Sequence, residues 1–287
     1  MTISEAGKMI TSALNSIYEQ RERTNIMNMV LEKLTGLSGT DRLIYKNRTL
    51  TSTQEINLKK NVDQLLQHKP VQYVLHEAWF AGMLFYVDEN VLIPRPETEE
   101  LVEWVLEKCS RSGLQTPSVL DIGAGSGCIA ISIKKKLPTA KVFALDFSLH
   151  AIQIAEKNAE KNKVAVQFFQ ADILNVQQAL PFSELDVVVS NPPYIMKSEA
   201  AAMRPNVLQH EPHSALFVPD DDALLFYKAI TGFALQHLKN PGGQLYFEMN
   251  ELLGEQVASL LHSKGFSPVE IKKDLQEKNR FVAGFLR

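Results

Sequence analysis

Between Val119 and Gly127 the chain passes from an apolar run, Val119-Leu120-Asp121-Ile122, into the turn Gly123-Ala124-Gly125-Ser126-Gly127, and then into a helical pattern. A strand, a glycine turn and a helix in that order open a nucleotide-type cofactor site, because glycines let backbone approach a ligand where side chains would crowd the turn. The turn does not name its ligand. A nicotinamide site shares this pattern, and so does a tight turn with no ligand at all. The surrounding periodicity narrows the fold: strand-like runs at 118–122, 141–146, 164–169, 185–189 and 244–248 alternate mainly with helical stretches. The segments 265–271 and 280–285 supply a final strand pair. A mostly parallel sheet covered on both faces is the compact solution, giving an α/β domain.

The amino-terminal part reads differently. Residues 5–17, 23–35, 38–47 and 53–67 carry apolar positions at helical spacing, with a polar break at Ser38-Gly39-Thr40-Asp41 and a helix start capped by Ser52 or Thr53. Short helices of this kind need one another for burial, so a small all-helical domain is expected over 1–72. An aromatic, partly strand-like stretch comes next with Gly82 as a hairpin turn, making 73–93 a linker. The remainder, 94–287, is the α/β domain. Pro94 and Pro96 stiffen its approach, and Glu97 to Glu100 favour the first turn of a helix.

Thirty basic and thirty-three acidic residues give a formal charge of -3, so attraction to a polyanion is not the expected basis of binding, and no stable nucleic-acid partner is expected. Cys109 and Cys128 have neither metal-ligand spacing nor disulfide density, which fits a reducing cytoplasm and no metal. No run approaches the roughly 20 apolar residues that cross a bilayer, and Met1 to Lys8 lacks a signal-peptide pattern, so neither a membrane nor secretion is expected.

Three polar residues stand at strand ends. Asp146 lies 23 residues after Gly123, where a carboxylate accepts hydrogen bonds from a ribose diol or else caps a helix before Ser148. Asp172 falls where an adenine edge would lie, with a loop cap as the alternative. Asn191 opens Asn191-Pro192-Pro193-Tyr194 after the run Leu185-Asp186-Val187-Val188-Val189. Its side-chain oxygen can accept one hydrogen bond from a substrate NH2 while the Pro192 carbonyl accepts the other, and Tyr194 can confine the planar group or simply wall the core. Glycine turn and acceptor platform together point to methylation of an amide or amine nitrogen.

With these motifs, and with Pro70-Val71-Gln72-Tyr73-Val74, Leu92-Ile93-Pro94-Arg95-Pro96-Glu97-Thr98-Glu99 and Glu211-Pro212-His213-Ser214-Ala215-Leu216, the chain resembles over nearly its full length the protein-(glutamine-N5) methyltransferases that modify bacterial peptide chain release factors, formerly called HemK. The resemblance implies a seven-stranded Rossmann-like class I methyltransferase domain, a small helical recognition domain, S-adenosyl-L-methionine as donor, and the glutamine of a release factor's Gly-Gly-Gln loop as acceptor. It implies donor contacts at Gly123, Ala124, Gly125, Gly127, Asp146, Asp172 and Asn191. Asn191, Pro192, Pro193 and Tyr194 would hold the acceptor, with Asn191, Pro192 and Tyr194 nearest the chemistry, and Leu92 and Arg95 would shape its approach. The chain departs from the family pattern at Ala223, at Met249-Asn250 after Glu248, and at Glu277-Lys278-Asn279-Arg280, changes expected to affect peripheral turns more directly than the reaction centre. Two other readings compete: N6 methylation of adenine in DNA, whose NH2 group the same platform can hold, and a noncatalytic release-factor binder. His76, His210 and His213 lie nearest the motifs, and none is assigned as a base.

Overall fold

The computed structural model describes residues 1–176, 180–182 and 184–287. Its contacts divide into two units, Met1–Glu77 with Arg204–His210, and Ala78–Met203 with Glu211–Arg287.

The first unit is helical: α1 Ile3–Ala13, α2 Gln20–Thr35, α3 Gly39–Ile44, α4 Ser52–Leu66, α5 Val71–Leu75 and, numbered along the chain, α9 Pro205–His210. In α1 the buried side chains Ile3, Ala6 and Ile10 recur at three- and four-residue spacing and join Val30, Leu58, Val62 and Leu65 in one core. Thr2 and Glu5 form a capping box at its start, and Thr51 and Gln54 form another on α4. The cap of α4 is therefore Thr51, not Ser52 or Thr53: its hydroxyl accepts from Gln54 N–H while the Gln54 side chain accepts from Thr51 N–H. Residues 73–75 are helical rather than strand-like. Helix α5 turns Val74 and Leu75 into the helical core, and extended structure starts only at Ala78.

The second unit begins with the expected hairpin, β1 Ala78–Phe80 and β2 Met83–Phe85. Ala81 and Gly82 both have positive φ, the requirement of the two-residue turn whose twist matches its strands. Helix α6, Pro96–Arg111, carries Pro96 in its first turn with Glu97 and Glu99. Then come β3 Ser118–Ile122, α7 Cys128–Lys136, β4 Lys141–Asp146, α8 Leu149–Asn162, β5 Gln167–Gln170 and β6 Val187–Ser190. A short pair, β7 Ile195–Met196 and β8 Phe217–Val218, precedes α10 Leu225–His237, β9 Gln244–Glu248, α11 Gly254–Ser263, β10 Val269–Lys273 and β11 Asn279–Phe285.

The main sheet has seven strands in the order β10-β11-β9-β6-β3-β4-β5. All neighbours from β9 to β5 are parallel, and β11 runs antiparallel to both β9 and β10. One face is covered by α6 and α7 through Leu101, Trp104, Val105, Ile129 and Ile133, the other by α10 and α11 through Tyr227, Ile230, Val257 and Leu261. Burial on both faces explains why β6 is apolar throughout its valines instead of alternating. The expected strand at 164 starts at Gln167, since α8 ends in Lys163 with a left-handed backbone and Val164 still bonds back to Ala159. Among the described residues no helix is long and apolar enough to cross a membrane.

Candidate active site

The chain lays down β3, β4 and β5 in one direction and then returns to place β6 on the other side of β3. That reversal opens a crevice beyond the carboxyl ends of β3 and β6, where open α/β sheets bind ligands. Ile122 and Ser190 end the two strands in register, and the Ser190 hydroxyl donates to the Ile122 carbonyl at 2.6 Å. The glycine turn leaves one strand and Asn191-Pro192-Pro193-Tyr194 the other, so topology alone sets the two motifs side by side. A single pocket is lined by Leu92, Arg95, Gly123, Ala124, Gly125, Asp146, Asp172, Asn191, Pro192 and Pro193.

The glycine-turn side of the pocket is built on β4. Gly123 and Ala124 donate their N–H groups to the Leu145 carbonyl at 2.9 and 3.0 Å, and Gly125 N–H donates to Asp146 Oδ2 at 2.8 Å. Asp146 Oδ1 accepts from Ser148 N–H at 2.9 Å. The carboxylate keeps acceptor capacity for a further donor such as a ribose hydroxyl. Burial raises the Asp146 pKa, while those backbone N–H groups pull it back. Gly123 and Gly125 have positive φ, and a Cβ added to either would meet no atom within 4 Å, so the turn keeps open the space a ligand needs. The cradle thus fits a nucleoside-bearing donor.

Gly127 serves packing instead. It caps α7 in a left-handed conformation, and a Cβ there would come within 2.9 Å of Ile131 Cδ1 and 3.0 Å of Ala155 Cβ. Gly127 does not line the pocket. Asp172 does, at its exposed rim, and also forms a loop cap, with Oδ1 accepting from Leu174 N–H at 2.9 Å. The turn is anchored from behind by buried Asn158, whose side chain accepts from Tyr86 N–H and donates to the carbonyls of Tyr86 and Ser126 at 2.7 to 2.9 Å.

On the opposite side, Asn191 Nδ2 donates to Thr98 Oγ1 at 3.2 Å, which leaves Oδ1 as the atom able to accept from a ligand. Tyr194 stands beside the pocket rather than on its wall: its ring packs against the core on the α10 and α11 face, and its hydroxyl donates to Glu248 Oε1 at 3.3 Å. Burial, followed by the nearby Glu248 charge, holds that phenol protonated. Thr98, also in the lining, donates to Glu248 Oε2 at 2.6 Å. Burial pushes the Glu248 carboxyl up to about 7. Arg95 pairs with buried Glu211, whose other oxygen accepts from Ile93 N–H. Sequence reasoning missed Thr98, Glu248 and Glu211 as site residues, although each lies in or beside a segment it had singled out. Of the three histidines near the motifs, His76 ends α5 and His210 bonds the Gln67 carbonyl in the helical unit, while His213 packs edge-on against Phe217.

A parallel sheet with one antiparallel strand inserted before its last parallel neighbour, and a glycine-turn pocket at its switch point, is the arrangement of a class I methyltransferase. Comparison with known proteins agrees. The family model described as the methyltransferase small domain matches residues 100–212, and that of the PrmC N-terminal domain matches residues 5–75. The fold is shared with the T. thermophilus 16S rRNA methyltransferase RsmC, solved with AdoMet and guanosine, at 21% identity and a TM-score of 0.52 over 74% of this chain and 50% of that one.

Relatives along the whole chain are closer. The release factor glutamine methyltransferase of Flavobacterium psychrophilum is 43% identical over 283 residues, 98% of each chain, and that of Bacteroides thetaiotaomicron is 37% identical over 95% of this chain and 96% of its own. The chain belongs to the release factor glutamine methyltransferase family.

Proposed function

We propose that the protein transfers a methyl group from S-adenosyl-L-methionine to the side-chain amide nitrogen, N5, of the glutamine in the Gly-Gly-Gln loop of a peptide chain release factor, working in the bacterial cytoplasm. The observation that carries this reading is the meeting of the glycine turn with the Asn191-Pro192 corner in one pocket. Full-length kinship to enzymes named for this substrate supports the choice of glutamine over adenine.

Gly123, Gly125, Asp146 and Asp172 would hold the donor, with Asp146 at the ribose and Asp172 toward the adenine. When bound, S-adenosyl-L-methionine supplies an electrophilic methyl carbon whose bond electrons leave with sulfur, giving S-adenosyl-L-homocysteine. An amide nitrogen is a weak nucleophile because its lone pair is delocalised, so orientation must supply much of the rate. Asn191 Oδ1 and the Pro192 carbonyl each accept one N–H of the glutamine amide, aiming the nitrogen at the methyl. As positive charge grows on nitrogen these two acceptors bind it more strongly, so they stabilise the transition state more than the ground state. The nitrogen gives its lone pair to the methyl carbon and then releases one N–H proton to solvent water as the methylated amide forms. The helical unit would contact the release factor outside the loop, adding affinity without touching the chemistry.

Incubation of the protein and donor with an unmodified release factor, beside an adenine-containing DNA, tests the reading. Methyl mapped to the Gly-Gly-Gln glutamine supports it, and labelling of the DNA alone overturns it.

A further inference from the structure

Glu248 and Thr98 belong to elements far apart in sequence, yet they join the acceptor corner through an ordered set of hydrogen bonds. Glu248 ends β9, next to β6, and is 2% exposed; Thr98 lies in the first turn of α6 and is also 2% exposed. A threonine hydroxyl has one proton to give. Here it goes to Glu248 Oε2 at 2.6 Å, so toward Asn191 the Thr98 oxygen can only accept, and it does so from Nδ2 at 3.2 Å. The second carboxylate oxygen is taken by the Tyr194 hydroxyl.

We propose that Glu248 and Thr98 are positioning residues that fix which way round the Asn191 amide stands. In its ionised form, which prevails above about pH 7, the Glu248 carboxylate can only accept and so commits the Thr98 proton; the committed hydroxyl commits Nδ2, so Oδ1 is the atom presented to the substrate NH2. Turning the amide over would set Oδ1 against an oxygen lone pair and aim an NH2 at the substrate NH2, donor against donor. A carboxylate at this point in the chain of bonds thereby decides the polarity of a group it does not touch. The inference rests on the acceptor role proposed for Asn191.

The test separates the hydroxyl of Thr98 from its shape. Thr98→Val keeps the shape and removes the hydroxyl, Thr98→Ser keeps the hydroxyl and removes a methyl, and Glu248→Leu removes the acceptor of the Thr98 proton. Two readouts are taken on the full-length protein: kcat and KM with a release factor, together with donor affinity, and the side-chain amide NMR signal of Asn191, identified by its loss in Asn191→Ala. The expected result, read above pH 7 where Glu248 is ionised, is a kcat lower by roughly 10- to 100-fold in Thr98→Val and Glu248→Leu with donor affinity kept, and recovery of most of that loss in Thr98→Ser. The Asn191 amide protons, protected in the wild type, lose protection in Thr98→Val and keep it in Thr98→Ser.

Wild-type kcat together with unchanged Asn191 protection in Thr98→Val overturns the proposal, and so does a Thr98→Ser as impaired as Thr98→Val, which marks a packing role. Should Thr98→Val not fold, Thr98→Ala carries the same comparison, and wild-type kcat and Asn191 protection there overturn the proposal too. A wild type that leaves the release factor unmethylated, while Thr98→Val still frees the Asn191 amide, defeats the reading of function and supports the relay.

Discussion

Arg95 and Glu211 lie 116 positions apart, and their side chains meet at 2.6 Å between Nη2 and Oε1 with the carboxylate almost fully buried. Glu211 also accepts from Ile93 N–H, so one acidic side chain holds both ends of the Ile93-Pro94-Arg95 segment that leads to the pocket. Removing the arginine leaves a buried charge without its partner, which is costlier than losing a surface pair. Because Arg95 is itself one-third exposed, Arg95→Ala should cost about 2 kcal/mol, below the full penalty for a buried pair. Urea unfolding measures that loss. KM for the release factor should rise as well, and unchanged stability would show that Glu211 finds another partner.

The two glycines at 125 and 127 should respond to alanine in different ways. Gly127→Ala drives a Cβ into Ile131 and Ala155 at a positive φ, so it should unfold at lower temperature by an amount equivalent to about 2 kcal/mol. Gly125→Ala carries the strain of its own positive φ but meets open space, so its stability loss should be the smaller of the two and its main effect should be on donor affinity, read by calorimetric titration. Equal stability losses with unaltered donor binding in Gly125→Ala would contradict the assignment of open space to the ligand.

Stability should fall as pH rises through neutrality. Burial pushes the carboxyls of Asp121 and Glu248 up to about 7, against ordinary values of about 4 in the unfolded chain. Between those values the native protein holds protons that the unfolded chain has already released. This contribution is therefore complete below about pH 4 and lost as pH rises to about 7, on the order of a few kcal/mol for the two groups together. Scanning calorimetry from pH 5.5 to 8 should show Tm declining, and Glu248→Gln should flatten the decline. A Tm that climbs across this range would be the opposite result.

Much of the architecture was legible locally. The glycine turn between β3 and α7, the apolar run of β6 before Asn191, and the Gly82 hairpin each depend on neighbours within a few residues, where periodicity and turn chemistry operate. What escaped depends on tertiary placement. Residues 204–210 return to the helical unit, although nothing in Arg204-Pro205-Asn206 announces it. Thr98 and Glu248, 150 positions apart, read as a first-turn residue and a strand end until the fold brings them together. Of the two places the sequence leaves open for Tyr194, confining a planar group or walling the core, its ring packs against the core and its hydroxyl bonds the buried Glu248 carboxylate, 54 positions away and beyond any local pattern.

The most direct test of the central claim is donor-dependent methyl incorporation into an unmodified release factor, mapped by peptide mass and run with wild type and Asn191→Ala. The expected result is one methyl on the Gly-Gly-Gln glutamine with wild type, and a rate lower by about 100-fold or more with Asn191→Ala while the donor still binds. Incorporation at full rate by Asn191→Ala, or methyl found at another residue, would contradict it.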